Sequence, residues 1–447
     1  MSKIITQSRR FLAFLLVGVS ATAWATDELP QQEDSTARFQ TTYIMQKKPG
    51  FSASYTGPNS LVPSREQSYT FTTTAHLGIR AWDGGEFYFN PEVTQGVPLS
   101  GLTGVGGFYN GEATRASGTT PTFYRQRLFL RQTWNLGGER EHIDADLNQM
   151  AGFVDKNRFV LTLGNFSALD VFDDNIYAKD PRSQFMNWGN MTYAAYDYAA
   201  DARGFAWGYA VEWYRDNGWV FRLGRMTGPR QPNMLPTDPQ IFKHYGDQFE
   251  VERAHELAGQ PGKIRLLGWR NRAVLASYRD ALDYLRSHPA ADPKTILQVR
   301  NGEKIKYGVG VNVEQAINST LGIFLRAMQA DGKTETYSFT EVDGSLSLGA
   351  SLKGAAWGRA QDVVGLAFLR NTLSKDRRDY LSAGGISFFI GDGALNYRPE
   401  NIVEAFYSIE LLKNTSLTFD AQRYYNPAYN ADRGPVNVIG ARFHAEF

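Results

Sequence analysis

The chain has 447 residues, no cysteine, and 47 basic against 46 acidic side chains, which leaves a formal net charge of +1. The lack of cysteine excludes disulfides, thiol chemistry and thiolate metal sites, and the balanced charge gives no electrostatic reason to expect a nucleic acid as partner. Aromatic residues make up 13%, and mean hydropathy is −0.39, which is typical of apolar lipid-facing residues that alternate with polar lumen residues.

The N-terminus has the pattern of an export signal. Three basic residues precede an apolar run over residues 11–21, and Ala23-Trp24-Ala25 has the small-x-small form of a cleavage site. The run is shorter than the roughly 20 residues that a membrane-spanning helix needs. We therefore predict a signal peptide over residues 1–25 and a single outer-membrane β-barrel over residues 26–447.

Alternation of apolar and polar residues, the period-2 signature of a strand with two differently solvated faces, recurs along the rest of the chain. Strands are expected at residues 39–45, 69–80, 86–93, 124–134, 142–148, 159–165, 204–215, 219–226, 247–256, 263–273, 306–315, 320–329, 342–352, 363–370, 381–390, 402–412, 416–425 and 436–447. Two long connections, residues 95–122 and 166–188, exceed ordinary loop lengths, so function or mobility is expected there. Residues 277–285 show helical spacing and predict a short helix.

Segments of about ten alternating residues between turns predict an all-β fold, a transmembrane antiparallel β-barrel. We expect about 16 strands, with 18 as the alternative, together with long loops and one short loop helix. With the strands as assigned, the short turns at residues 317–319 and 413–415 cannot both lie at the periplasmic end. We therefore expect a miscounted strand near residues 337–352.

The last strand reads VNVIGARFHAEF and ends the chain on an aromatic residue. A free apolar edge would invite pairing with other chains, whereas closing a barrel against the first strand removes that edge. The alternation predicts that Ile439, Ala441, Phe443 and Phe447 face lipid, and that Arg442, His444 and Glu446 face the channel. A charge at Phe443 is therefore expected to impair assembly far more than one at His444.

Charged residues inside strands are expected to point inward, because a charge facing lipid at mid-depth costs roughly 2–4 kcal/mol. Arg125, Arg127 and Arg131 share one face of their strand, and Asp144 and Asp146 share the corresponding face of the next. Opposed basic and acidic rows would create a transverse field at a narrow point of the channel. The alternative is that these residues only solvate the wall or pair across neighbouring strands.

The segment over residues 166–188 mixes charged and aromatic side chains. Its candidates are Asp170, Asp173, Asp174, Asp180 and Arg182, beside Phe172, Tyr177 and Trp188. Charged groups hydrogen-bond hydroxyls while an aromatic ring packs on the C–H face of a sugar, so the composition suits sugar binding. A solvated surface loop or a loosely spaced calcium site would explain the same composition.

An enzyme is poorly supported by the sequence. The six histidines are scattered, and neither an H-E-x-x-H pair, a G-x-S-x-G elbow nor a P-loop occurs. A membrane-embedded hydrolase could still assemble its catalytic groups from separate strands. We expect no catalytic residue, no metal and no cofactor.

Several strings, in order from about residue 120 to the C-terminus, resemble the bacterial carbohydrate-selective porin family. They are RLFLRQTWNLGGE, FSALDVFDDNIYAKDPRSQFMNW, GKIRLLGWRNRA, SYRDAL, KYGVGVNVEQ, SLSLGASLKGAAWGR and YYNPAYNADRGPVNVIGARFHAEF. The resemblance implies a single barrel of about sixteen strands in a Gram-negative outer membrane. It also implies passive diffusion of monosaccharides such as glucose, with some preference for sugars.

The expected partners follow from this resemblance. They are small carbohydrates, outer-membrane lipid and lipopolysaccharide, and the barrel assembly machinery, which would read the terminal aromatic residue Phe447. Either a monomer or a homotrimer is compatible with the sequence. Sugars are expected to pass an eyelet lined by Arg127, Arg131, Asp144 and Asp146. A general diffusion porin, a plugged barrel that acts in surface binding or adhesion, and a secreted soluble all-β protein are the alternatives.

Overall fold

Sixteen antiparallel strands close into one barrel in the structure of the chain, a computed structural model that describes residues 32–113, 118–290 and 293–447. The barrel strands are β1 (Ser35–Lys48), β2 (Glu66–Trp82), β3 (Gly85–Val97), β4 (Gly118–Asn135), β7 (Arg158–Phe166), β8 (Ala206–Tyr214), β9 (Trp219–Met226), β10 (Tyr245–Leu257), β11 (Gln260–Val274), β12 (Glu303–Ala316), β13 (Leu321–Ala330), β14 (Gly344–Gly354), β15 (Arg359–Thr372), β16 (Glu400–Leu412), β17 (Thr415–Tyr425) and β18 (Val436–Glu446). The expected strand count of sixteen is confirmed. The predicted signal peptide lies outside the described residues.

Smaller elements occupy the connections. A separate two-stranded hairpin is formed by β5 (Arg140–Ile143) and β6 (Gly152–Asp155), and the α-helices are α1 (Trp188–Met191), α2 (Tyr278–Ser287) and α3 (Lys375–Ser382). Short 3-10 helices cover Leu99–Leu102, Gly111–Ala113, Ala168–Asp170, Pro293–Val299, Ala355–Trp357 and Pro427–Tyr429. In the described ranges, no helix combines the length and apolarity needed to cross a bilayer.

The first and last strands form the closing seam of the barrel. β18 pairs with β1, where Phe443 lies opposite Tyr43 and His444 opposite Thr42. Phe39 and Phe447 exchange two backbone hydrogen bonds at the end of this seam. The prediction that the C-terminal strand closes the barrel is confirmed, and the closure satisfies an edge that would otherwise be unpaired.

The faces of β18 also agree with the alternation. Ile439 and Phe443 point away from the lumen and expose 52% and 41% of their surface, as residues in contact with lipid would. Arg442 and His444 are buried on the inner side of the barrel. Lipid outside and a polar interior therefore account for the period-2 pattern.

Short and long connections lie at opposite ends of the barrel. The short turns, at residues 83–84, 215–218, 258–259, 317–320, 355–358 and 413–414, share one end with both barrel termini, and the long loops share the other. One connection departs from this rule, because residues 136–157 at the short-turn end contain the β5–β6 hairpin. Short turns face the periplasm in barrels of this class.

Two predicted barrel strands were wrong. Residues 142–148 belong to the β5–β6 hairpin. In this hairpin β5 ends at Ile143, and the turn that follows contains a β-bridge between Asp146 and Gln149. Residues 381–390 begin in the last turn of α3 and continue in a long loop, where Leu381 and Ile390 pack into a loop core. Alternation in the sequence alone did not separate these two segments from barrel strands, because the burial of their side chains depends on what packs against them.

The second correction resolves the conflict between the turns. Once residues 381–390 are removed from the strands, the turns at residues 317–320 and 413–414 lie at the same end. The miscount expected near residues 337–352 was therefore misplaced. The helix expected at residues 277–285 is α2, where the Ser277 side chain accepts a hydrogen bond from the backbone of Asp280, whereas α1 and α3 were not expected.

Placing lysine at Phe443 is expected to impair assembly far more than placing it at His444. Phe443 faces lipid, where an ammonium costs about 2 kcal/mol, whereas a lysine at position 444 would lie on the inner face beside Glu446. Heat-modifiable migration and urea unfolding in liposomes would measure the difference. Equal losses in the two variants would contradict the assigned faces.

Candidate functional site

A long segment after β7, residues 167–205, enters the barrel and is called the inner loop. It starts with a capping box in which the Ser167 side chain accepts from the backbone of Leu169, and Asp170 accepts from the backbone of Ser167. This box starts a 3-10 turn and ends the strand geometry. From there the inner loop crosses to the opposite walls.

The first anchor of the inner loop is Asp173. Its carboxylate accepts hydrogen bonds from Arg326 Nε at 2.9 Å on β13 and from Asn312 Nδ2 at 2.6 Å on β12. Thr192 of the same loop donates to the second carboxylate oxygen at 2.7 Å. Asp173 and Arg326 are both almost fully buried, so the ion pair fixes the loop to the wall.

A second anchor is Asp197. Lys306 on β12 donates to its carboxylate at 2.7 Å, and the backbone N–H groups of residues 337–340 donate to the same group. Four backbone donors and an ammonium surround one buried carboxylate, which holds the 331–343 loop against the inner loop. The wall, the inner loop and an outer loop therefore meet at Asp197.

A third anchor is Glu404 on β16. Its carboxylate accepts from the backbone of Met186 at 2.6 Å and of Asn187 at 3.0 Å, and from Asn190 Nδ2 at 2.6 Å. Arg442 on β18 donates in turn to backbone carbonyls of the inner loop. Anchors on β12, β13, β16 and β18 hold the inner loop across the lumen.

Ion pairs concentrate where the inner loop meets β1 and β3. Arg182 contacts Glu92 of β3 at 2.9 Å and Glu112 at 3.0 Å, and it donates to Gln40 of β1 at 2.6 Å. Arg203 reaches the other oxygen of Glu92 at 2.7 Å. Two arginines therefore share the carboxylate of Glu92.

Further pairs lie beside this cluster. Arg127 of β4 holds Asp170 through two hydrogen bonds of 2.6 and 2.8 Å, and its guanidinium lies over the Phe205 ring. Lys179 pairs with Asp174 at 2.6 Å. Acidic and basic groups are interleaved here, so they form neighbouring ion pairs and do not form the opposed rows considered from the sequence.

The β5–β6 hairpin enters the lumen from the short-turn end. Arg131 of β4 donates to the carbonyl of Asn148 at 2.9 Å, and the side chain of Asn148 contacts His76 of β2 at 3.3 Å. The backbone of Met150 donates to the Tyr88 hydroxyl at 3.1 Å. The hairpin turn therefore packs against the inner wall formed by β2, β3 and β4.

A cavity of about 610 Å³ lies between the inner loop, the hairpin turn and the barrel wall. Its polar lining includes Gln40, His76, Glu112, Gln126, Arg127, Arg131, Asp146, Asn148, Asp170, Asp174, Asp180, Arg182 and Glu446, and its aromatic lining Phe129, Trp188, Tyr198, Phe205 and Phe339. The size is ordinary for a small-molecule site. Charged groups would hydrogen-bond solute hydroxyls, while the aromatic side chains would supply apolar contacts for C–H groups.

Two carboxylates of the inner loop that line the cavity, Asp170 and Asp174, have a pKa below the ordinary value. Burial alone would raise the pKa of Asp170, but Arg127 outweighs burial and holds the pKa below its ordinary value of 3.8. The pKa of Asp174 is lowered in the same way, because Lys179 and Arg265 outweigh burial. Burial alone would lower the pKa of Lys179, but Asp174 outweighs burial and raises this pKa above its ordinary value.

Replacing Asp170 with asparagine should lower the free energy of unfolding by about 1 kcal/mol at pH 7. Since the folded pKa of Asp170 is depressed, its contribution is complete above pH 3.8 and is lost as pH falls through the folded value. Urea unfolding of both proteins from pH 7 to pH 3 should show a constant difference that shrinks below pH 3.8. A difference that disappears at pH 5 or 6 would contradict the depressed pKa.

The cavity collects most of the residues singled out from the sequence. Arg127, Arg131, Asp146, Asp170, Asp174, Asp180, Arg182, Trp188 and Glu446 line it. Asp173 lies in the buried anchor. Arg442 and His444 face inward as predicted, but Arg442 is covered by the inner loop and His444 bonds to Thr42.

Two site predictions were wrong. Arg125 points outward and stacks on Trp207, because the register between β3 and β4 shifts at Pro91, which has no N–H to continue the ladder. Asp144 sits on the hairpin with 96% of its side chain exposed and pairs with His142. The predicted eyelet of four residues therefore retains Arg127, Arg131 and Asp146.

Sequence reasoning missed Glu92, Glu112, Arg203 and His76. Glu92 and His76 are polar residues inside strands, so the same inward rule that selected Arg127 could have selected them. Glu112 and Arg203 lie in long connections, where no periodicity indicates direction. In the described parts of the chain, no group of three or more His, Cys, Asp or Glu side chains could hold a metal ion.

Comparisons with known proteins agree with this geometry. Residues 63–447 match the model of the family described as carbohydrate-selective porin, OprB family. The high-pH structure of Pseudomonas putida OprB is similar at a TM-score of 0.68 with 15% identity, covering 92% of this chain and 94% of that one. The low-pH structure of the same protein gives a TM-score of 0.51 with 12% identity, at 93% of each chain. No curated protein matches the sequence.

Proposed function

The chain belongs to the OprB family of carbohydrate-selective porins, and on that premise we propose that it lets small sugars such as glucose diffuse passively into the periplasm. The family match and the closed sixteen-strand barrel make it an outer-membrane porin for sugars. Passive diffusion needs no energy source and no cofactor. A solute would move down its own gradient through the lumen.

The observation that carries this proposal is the lining of the 610 Å³ cavity. Arg127 lies over one face of the Phe205 ring and holds Asp170, so hydrogen-bond donors, acceptors and an aromatic side chain occur within one group. A pyranose ring has equatorial hydroxyls and a C–H face, and both would find partners there.

Charge balance supports a neutral solute. Arg182 is paired with Glu92 and Glu112, and Lys179 with Asp174, so the pairs largely cancel one another's long-range field. Conduction requires binding that is favourable on entry and weak enough on exit. Side chains already engaged in ion pairs would form moderate hydrogen bonds with a sugar hydroxyl. They would keep their charged partners while the sugar is bound.

Liposome swelling tests the proposal. Purified protein should admit glucose faster than a linear hexitol of similar size, because only the ring presents a flat C–H face to Phe205. Phe205→Leu keeps an apolar side chain without a ring face, and should bring the two rates together. Equal rates in the wild type would leave a general diffusion porin, and zero single-channel conductance would indicate a plugged barrel.

A further inference from the structure

A charged cluster lies on the outer wall of the barrel, outside the lumen. Asp247 of β10 pairs in register with Arg225 of β9 and with Arg270 of β11. Arg225 holds the carboxylate through Nε at 2.7 Å and Nη2 at 3.0 Å, and Arg270 through Nη2 at 2.6 Å. Both guanidinium groups lie over the Tyr245 ring.

The position of this cluster is unusual for a wall that faces lipid. Outward charges are destabilising at mid-depth and are tolerated near the membrane surface. The cluster lies near the membrane surface at the long-loop end of the barrel. Arg225 is one residue from the end of β9 at Met226, and Asp247 is two residues from the start of β10 at Tyr245. Two arginines against one aspartate leave a net positive charge, and 49% of the Arg270 side chain is exposed.

An apolar groove continues from the cluster along the wall. Gly268 of β11 faces outward, and a Cβ built on it would meet no atom within 4 Å. Its cross-strand neighbours Phe249 and Val309 expose 51% and 64% of their surface. The missing side chain at Gly268 thus opens a concavity of about 390 Å³, whose lining includes Leu223, Tyr307 and both arginines.

We propose that this groove binds one membrane lipid whose headgroup carries an anionic phosphate. The guanidinium fork matches a phosphate in shape and charge, and the five N–H donors of each arginine exceed those that Asp247 takes up. The acyl chain would lie over Gly268 between Phe249 and Val309, removing apolar surface from water. A zwitterionic headgroup would bring its own cation towards Arg225 and Arg270, so an anionic lipid is preferred.

Native mass spectrometry of the full chain in detergent tests this site. Phosphatidylglycerol, titrated against phosphatidylcholine with the same acyl chains, should be retained with about tenfold higher affinity, equivalent to about 1.4 kcal/mol. Arg270→Gln removes one cation and leaves the two-bond contact between Arg225 and Asp247. Gly268→Leu fills the groove without altering charge. Arg270→Gln should bring the affinity for phosphatidylglycerol close to that for phosphatidylcholine, whereas Gly268→Leu should lower the affinity for both lipids.

Arg370→Gln on β15 is the matched control. Arg370 is also exposed on the outer wall two residues from the end of its strand, but it lies on another part of the barrel. This control should keep the wild-type preference, and heat-modifiable migration should show that all variants are folded. The proposal is overturned if Arg270→Gln and Gly268→Leu retain phosphatidylglycerol like the wild type, if Arg370→Gln loses it equally, or if inorganic phosphate alone displaces the lipid completely.

Discussion

Replacing Asp173 with alanine is expected to loosen the inner loop and raise single-channel conductance, with a large increase in current noise. Asp173 holds Arg326 at 2.9 Å, and both side chains are buried. Removing one partner of a buried pair leaves an uncompensated charge and costs about 3–5 kcal/mol. The inner loop should therefore leave its place in the lumen for part of the time, and planar-bilayer recordings would detect the change.

The matched control removes both charges. Asp173→Ala with Arg326→Met leaves no stranded guanidinium, so the double variant should regain part of the lost stability. Urea unfolding in liposomes and hydrogen exchange of residues 167–205 would report this recovery. The anchoring role of the Asp173–Arg326 pair is refuted if the single variant conducts like the wild type, or if the double variant is no more stable than the single one.

Replacing Arg182 with alanine is expected to make the channel strongly cation-selective. Arg182 faces Glu92 at 2.9 Å and Glu112 at 3.0 Å, and its loss leaves an excess of negative charge beside the cavity. At an effective dielectric constant near 20, a unit charge 4 Å away changes the energy of an ion by about 4 kcal/mol. Pore water reduces this effect, so we expect about a tenfold rise in the permeability ratio of potassium over chloride.

The reversal potential under a potassium chloride gradient measures this ratio. Arg125→Ala is the matched control, because Arg125 stacks on Trp207 at the outer wall and does not line the cavity. The control should leave the reversal potential unchanged. A shift of equal size in both variants, or none in Arg182→Ala, would remove Arg182 from the ion pathway.

The strands of the barrel could be predicted because lipid imposes a simple rule on each residue. At the mid-depth of the membrane an outward side chain must be apolar and an inward one is free to be polar, so β18 shows its two faces without any knowledge of its neighbours. The same rule correctly turned Arg127, Arg131 and Arg442 inward. These properties are local, since each depends on a residue and its immediate neighbours in sequence.

Where the local rule failed, a neighbouring strand or a packed loop had overridden it. Arg125 faces outward because Pro91, on the adjacent strand, interrupts the hydrogen-bond ladder and shifts the register between β3 and β4. Residues 381–390 alternate like a strand, yet Leu381 and Ile390 are buried in a loop core that α2 and Tyr429 also form. No pattern within residues 381–390 shows what will cover its apolar side chains.

The sequence by itself determined the class of fold, the approximate number of strands, the closing seam and the inward direction of most charges, because these follow from the period-2 contact with lipid and lumen. Only the tertiary structure decided which charges meet. Arg182 finds Glu92 some ninety residues away, and Asp173 finds Arg326 more than one hundred and fifty residues away. Such pairs depend on the path of the inner loop, which long-range packing fixes.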